Sequence, residues 1–343
     1  MPTGRSRQAL PCPQPRVEKP DLRRRWLLTS TAIGVAGCLA LSQLVYANDE
    51  CGTIVGNSVT CTSAGNNYTS GISYDPTDDL TMVVQDGVTI TPSSGNEGID
   101  ITFPSGNLFD LDLRLYDSDA ATDITTSGSG AEGILISRAH DVTLVNQADI
   151  TSGNDDGMEI HASGAVTIDN SGTITSSGRG IYTSFGSLNL TNSGAITTTT
   201  SSSNGIFVRY AEGDTTITLS ETGTVDTLGT KADGIGIRGF PGVEEKVYLL
   251  VAGAITTRGD AANGISLNGI DGHSIIVQSD TGSIITYGDG AHGIEISASN
   301  AATINNSGVI ATFGNNSHGI YTIGIAGAVD ITASGFMEIP SEM

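Results

Sequence analysis

Short runs in which apolar and polar residues alternate recur along this chain, and they come in threes. The first run of a unit carries pairs such as Ile134/Ile136, Ile206/Val208 and Ile294/Ile296. The second carries Val142/Leu144, Val166/Ile168, Leu188/Leu190, Ile217/Leu219 and Val247/Leu249. A turn written NSGTI, NSGAI or NSGVI then introduces Ile174, Ile196 and Ile310 of the third. Alternation with period two over a few residues marks a strand buried on one face, because successive side chains point to opposite sides. Each unit opens with a polar residue, a Gly, and Ile or Met: AEGILI, DDGMEI, GRGIYT, SNGIFV, ADGIGI, ANGISL, AHGIEI and SHGIYT. The Gly positions are 133, 157, 180, 205, 234, 264, 293 and 319, so the intervals are 23 to 30 residues. That is too short for a domain and right for one coil of a solenoid.

The pattern predicts an all-β chain folded as a right-handed parallel β-helix, the hand being the default for parallel crossovers. The corner glycines are expected to occupy positions with φ > 0, which Gly reaches without steric cost. Stacked coils place equivalent residues about 4.8 Å apart, so eight coils reach about 40 Å and like side chains form ladders. One expected ladder is Asn146, Asn170, Asn192 and Asn306, with Glu221, Val251 and Asp280 in the coils between. A second is Thr126, Ser152, Ser176, Thr198, Thr227, Thr257, Thr286 and Thr312. Both are read as corner chemistry. The outward third-strand column (Thr125, Thr151, Thr175, Thr197, Asp226, Thr256, Ile285, Ala311) is too broken for a flat threonine face that would bind ice or a crystal.

Three regions follow from this reading: an N-terminal extension and secretory signal over 1–47, a capping segment with irregular first coils over 48–119, and the β-helix repeats over 120–343. Arg23-Arg24-Arg25 precede an apolar run from Trp26 to Val45, and Val45-Tyr46-Ala47 offers small residues for cleavage. The run is about long enough to span a bilayer, which leaves an uncleaved anchor open. Val35-Ala36-Gly37-Cys38 resembles a lipoprotein box, with Cys38 as the acylated residue, although the apolar run continues past it. After the signal, Cys51 and Cys61 in CGTIVGNSVTC read as a disulfide in an oxidising compartment.

Aromatic residues make up 5% of the chain and charged ones 15%, against 45 Gly, which suits short strands and tight turns better than a bulky core. Residues 1–47 carry a net charge of +5 and the remainder −27. A polyanion of that kind repels nucleic acid and anionic headgroups, so no nucleic-acid partner is expected. The acidity reads first as solubility of a long surface.

The series NSGTI with GRGIYT, NSGAI with SNGIFV and NNSGVI with SHGIYT, behind the CGTIVGNSVTC start, resembles the passenger repeats of bacterial autotransporters. The resemblance covers nearly all of 48–343. It implies type V secretion and display outside the outer membrane of a Gram-negative cell. It also implies an outer-membrane β-barrel in the full-length protein. Nothing here reads as repeated ten-residue transmembrane strands, and Met343 falls in the middle of an expected coil, so the chain reads as a fragment of a longer one.

Motif chemistry is sparse. No nucleophile elbow, phosphate loop, zinc or EF-hand pattern is present, and no cofactor or metal is expected. His292 and His318 share a corner of adjacent coils and read as solvated polar residues before they read as metal ligands. Parallel β-helices also carry polysaccharide lyases and hydrolases, which makes a secreted carbohydrate-active enzyme the alternative to a non-enzymatic stalk or adhesin. The corner carboxylates (Asp110, Asp112, Asp117, Asp119, Asp155, Asp156, Glu244, Glu245) lack matched basic partners, and only eight Lys/Arg follow residue 47. One feature stands out. The corner between first and second strands swells in three consecutive coils: RYAEGDTT at 209–216, RGFPGVEEK at 238–246 and NGIDGHS at 268–274. These loops gather Arg209, Tyr210, Arg238, Phe240 and Lys246 as candidate contacts for a host-cell or neighbouring-cell surface ligand, glycan or protein.

Overall fold

The computed structural model describes residues 51–118, 121–184 and 186–338. The signal read over 1–47, with Cys38, lies outside the described residues, as do Asp119 and Pro340–Met343. Three sheets of eleven, ten and ten strands make up the fold, and each strand pairs with its counterpart one coil on. The chain visits the sheets in rotation. Ile181–Ser184, Ser187–Asn192 and Ala195–Thr198 form one coil, and Ile206–Ala211 then stacks in parallel on the first of these. The molecule is therefore an all-β parallel solenoid of about ten coils. Residues 58–115 join the same sheets, from Ser58–Cys61 at the edge of the second-strand sheet to Leu111–Leu115. Cys51 and Cys61 are bonded as a disulfide beside that first strand, with Cα atoms 4.7 Å apart.

Burial follows the alternation. Ile134, Met158, Ile181, Ile206, Ile235, Ile265 and Ile294 pair in register and are all buried. Ile124, Ile150, Ile174, Ile196, Val225, Ile255, Ile284 and Ile310 do the same in the third-strand sheet. Each such side chain contributes on the order of 1.5–3 kcal/mol by leaving water.

The repeat glycines are conserved through the coils for a different reason from the one expected. Positive φ occurs at other glycines and at none of the eight. What excludes a side chain is contact. A Cβ on Gly264 would lie 2.2 Å from Ile284 Cγ2 and 2.6 Å from the Gly293 carbonyl oxygen. The same clash recurs at Gly133, Gly157, Gly180, Gly205, Gly234 and Gly293. The corner leading to the next coil does take up positive φ, but more often at residues with side chains, Ser202, Lys231, Ala261 and Asn316, than at glycines, Gly130 and Gly290.

The serine–threonine ladder is present and buried, and the hydroxyls from Thr126 to Thr286 donate to corner carbonyls, while that of Thr312 has no partner among the described residues. Thr198 bonds the Ser203 carbonyl at 2.6 Å, and Thr227, Thr257 and Thr286 repeat the bond. The asparagine ladder differs from expectation in two coils. Its members between Asn192 and Asn306 are Leu219, Val251 and Gln278. Glu221 and Asp280 sit two residues further on, because those corners are two residues longer. Counting back from the third strand lost the register there.

Much of the acidity has structural work. Asp79 Oδ1 accepts the backbone N–H of Asp110, Asp110 that of Asp141, and Asp141 that of Ala165, at 2.7–3.1 Å. Just before the repeat Gly, Asn204, Asp233 and Asn263 accept in turn from the N–H of Asp233, Asn263 and His292. In each case an earlier coil accepts from a later one.

Candidate functional site

The swollen corners do meet on one side. Arg209 and Arg238 are in register on adjacent strands, with Asn268 next in line. Tyr210 breaks the strand with φ 57°, leaving Arg209 and Ala211 on either side of a register shift. Its ring meets Phe240 edge-on at 6.1 Å, and the Arg209 guanidinium stands 4.6 Å above it and donates to the Tyr210 hydroxyl. That contact raises the Arg209 pKa and lowers that of Tyr210. Lys246 is placed differently. Its backbone N–H donates to Asp214 where the second strand begins, so it flanks the cluster from the next sheet. Beneath the loop, Glu245 is buried, its carboxylate occupying the space a side chain at Gly239 would need; burial raises its pKa.

A second group, which the loop argument missed, continues the cluster along the outward face of the first-strand sheet. The Arg179 guanidinium lies 3.7 Å from the Tyr182 ring centre, Tyr182 stacks on Phe207 at 5.8 Å, and Arg238 stands 5.5 Å from Phe207. Two stacked aromatic rings are thus flanked by a guanidinium at each end across three coils, an arrangement that stabilises both partners. The signal was present in the repeats: GIYT, GIFV and GIGI place Tyr182, Phe207 and Gly236 at one outward position of successive coils. Alongside lies a groove of about 520 Å³, lined among others by Arg179, Phe207, Lys231, Asp233, Gly236 and Arg238. Asp156 is buried against Arg179 at 3.0 Å; burial still raises its pKa to about 6 despite the guanidinium. Burial lifts Asp233 to about 7, with Glu295 adding and the Asn263 N–H and Arg238 opposing.

Two further clusters stand apart. His161 bonds Glu159 through Nε2 at 2.6 Å and Ser184 through Nδ1, a serine–histidine–glutamate chain beside a second cavity of about 540 Å³ near Leu108 and Arg138. The bond to His161 lowers the Glu159 pKa. Ser184 is only 2% exposed, so its hydroxyl is shielded from a substrate carbonyl and the chain reads as a tie between neighbouring coils of one sheet. His292 and His318 stack at 5.1 Å with Tyr321 against both. His292 Nδ1 accepts the His318 backbone N–H, which withdraws that nitrogen from metal binding, and burial lowers its pKa. Among the described residues no cluster of three or more ligands suits a metal ion, and no helix is long and apolar enough to cross a membrane.

Fold and surface together define the class: a parallel β-solenoid with a cation–aromatic face on an acidic body. Comparison with known proteins gives no match to a family model, to a curated protein or to a solved structure.

Proposed function

We propose that this protein is an exported, non-enzymatic β-solenoid, a surface-displayed or secreted stalk that carries a binding face, in the manner of an autotransporter passenger of a Gram-negative bacterium. One observation supports it above the rest. Four of the eight cations after residue 47 (Arg179, Arg209, Lys231, Arg238) collect with Tyr182, Phe207, Tyr210 and Phe240 on neighbouring coils of a body otherwise carrying 35 acidic groups. Loops and faces on a rigid scaffold are where recognition concentrates. The partner is a host-cell or neighbouring-cell surface ligand. The test is adhesion of protein-coated beads to host or bacterial cells, comparing the native chain with Arg209→Gln/Phe240→Ser. Undiminished adhesion by the variant removes the role of the loops, and native beads that adhere to no cell remove the reading.

A carbohydrate-active enzyme is the second reading, favoured by the raised carboxyls of Asp156 and Asp233 in one groove. Their separation counts against it. Asp156 and Asp233 occupy equivalent corners three coils apart, about 14 Å along the axis, whereas a hydrolytic pair stands about 5–9.5 Å apart. Release of reducing sugar from a polysaccharide panel, abolished by Asp233→Asn, would restore it.

A further inference from the structure

We infer that the groove beside Phe207 is a binding site for a carboxylated sugar within an oligosaccharide, seated against the side of the Phe207 ring turned away from Tyr182, with its carboxylate held by Lys231 and Arg238. The inference rests on the binding role proposed above and names the chemistry of the ligand.

The first support is shape. Tyr182, one coil before, covers one face of Phe207 by stacking at an interplanar angle of 19°. The other face looks toward the next coil, where the outward position is Gly236. The outward residues at this position in the other described coils of the column are Ser73, Asp100, Leu135, Glu159, Tyr182, Phe207, Ser266, Glu295 and Tyr321, so the column is interrupted at Gly236 alone. A Cβ there would approach Phe207 to 3.1 Å and Asn204 Nδ2 to 2.2 Å. Asn204 and the edge of Phe207 thus occupy the place a side chain at Gly236 would take, and together they line a groove of about 520 Å³, within the range that holds small ligands. An aromatic face bordered by polar groups suits a pyranose, which offers apolar C–H bonds on one side and hydroxyls at its edge.

The second support is charge. Five ion pairs are formed among the described residues, and neither Lys231 nor Arg238 belongs to any of them. Both are exposed, and both line the groove. Arg179, at the same groove, is already paired with Asp156. Asp155, Asp156 and Asp233 line the same groove, but Arg179 offsets Asp156 and burial favours the protonated form of Asp233, so Lys231 and Arg238, which also stands over Phe207, outnumber the remaining carboxylate there. A carboxylate fits them, Arg238 offering a fork of two N–H donors and Lys231 a point charge. Asn268 and Ser266 on the next coil stand at the rim for hydroxyl groups.

Isothermal titration of the full chain with trigalacturonate, a hyaluronan tetrasaccharide and 3′-sialyllactose, with lactose and methyl-esterified trigalacturonate as neutral controls, tests this. At least one acidic sugar is expected to bind and the neutral ones to bind at least about tenfold more weakly, and K231Q and R238Q are each expected to weaken binding about tenfold. Equal thermal midpoints of K231Q and the native protein show that the fold is kept. If no acidic sugar binds, or if binding survives both substitutions, the inference is overturned. The bead assay separates the two readings. Adhesion that persists in K231Q and is not competed by acidic sugars leaves the adhesive role standing and rejects the groove. Sugar binding that R238Q abolishes, without adhesion to any cell, supports the groove and rejects the adhesive role.

Discussion

Asn170 Nδ2 donates to Asn192 Oδ1 across 2.6 Å, while Asn170 Oδ1 accepts from Asn146 Nδ2 at 2.7 Å. All three amides are fully buried, and each also donates to a carbonyl two residues on in its own corner. The middle residue is thus tied to both neighbouring coils, whereas Asn192 stands next to Leu219 and is tied to one. Asn170→Ala is expected to cost about 2–3 kcal/mol and Asn192→Ala about half as much, since the first removes two inter-coil bonds and leaves the Asn192 oxygen unpaired. Denaturant unfolding of the two variants decides it; equal midpoints would show that the ladder is not cooperative.

Gly264→Ala places a methyl group against Ile284 and the Gly293 carbonyl. Backbone cannot yield there as a side chain could, so the coil spacing must open. A loss of about 1–3 kcal/mol is expected. Faster hydrogen exchange, that is, reduced protection, should centre on Ile265–Asn268 and Ile294–Ser297, the strands on either side.

Ala261 gives the opposite sign. It sits at φ 52°, where an L side chain is strained by about 1–2 kcal/mol, partly offset in the variant by the greater freedom of unfolded Gly. Ala261→Gly is expected to raise the melting temperature by about 1–3 °C. A lower melting temperature would mean that the corner holds its conformation without strain.

The Asp233 carboxyl, raised from 3.8 to about 7, binds its proton in the folded state at pH values where the unfolded chain has lost it. Stability therefore falls as pH rises from about 4 to 7. Asp156 and Glu132, raised by burial to about 6 and about 7, act in the same direction. Asp233→Asn keeps the Oδ1 that accepts the Asn263 N–H, as Asn204 and Asn263 do in their own coils. The variant is expected to lose less melting temperature than the native chain between pH 5 and pH 8, by about 2–4 °C. Parallel pH profiles would assign the slope to other carboxylates.

The coil repeat and its inward columns were legible because burial on one face writes itself as alternation, and Ile134, Ile206 and Ile294 needed nothing else. The purpose of the repeat Gly was not legible. Contact with Ile284 and with the next carbonyl depends on coil spacing, and a sequence does not state distances. Register failed only where Glu221 and Asp280 mark lengthened corners. Of the cation–aromatic face, Arg209, Tyr210, Arg238 and Phe240 stood out as insertions; Tyr182 and Phe207 were hidden inside regular strands, where an outward aromatic looks like any other outward residue. Lys246 was grouped with them by proximity along the chain, and the corner turns it toward another sheet.

The corner acceptors give the rod a direction. At Asp79, Asp110, Asp141, Asn204, Asp233 and Asn263 the earlier coil holds the oxygen and the later coil brings the N–H. At these corners a finished coil presents an acceptor aimed at a residue that has not yet arrived and so serves as a template for the next, as the growing tip of a filament does for an incoming subunit. The bonds from the Gly130 N–H to Asp155 and from the Gly242 N–H to Asp271 run the other way. A chain that folds from its first coil onward meets its mould at the acceptor corners in the order of its sequence.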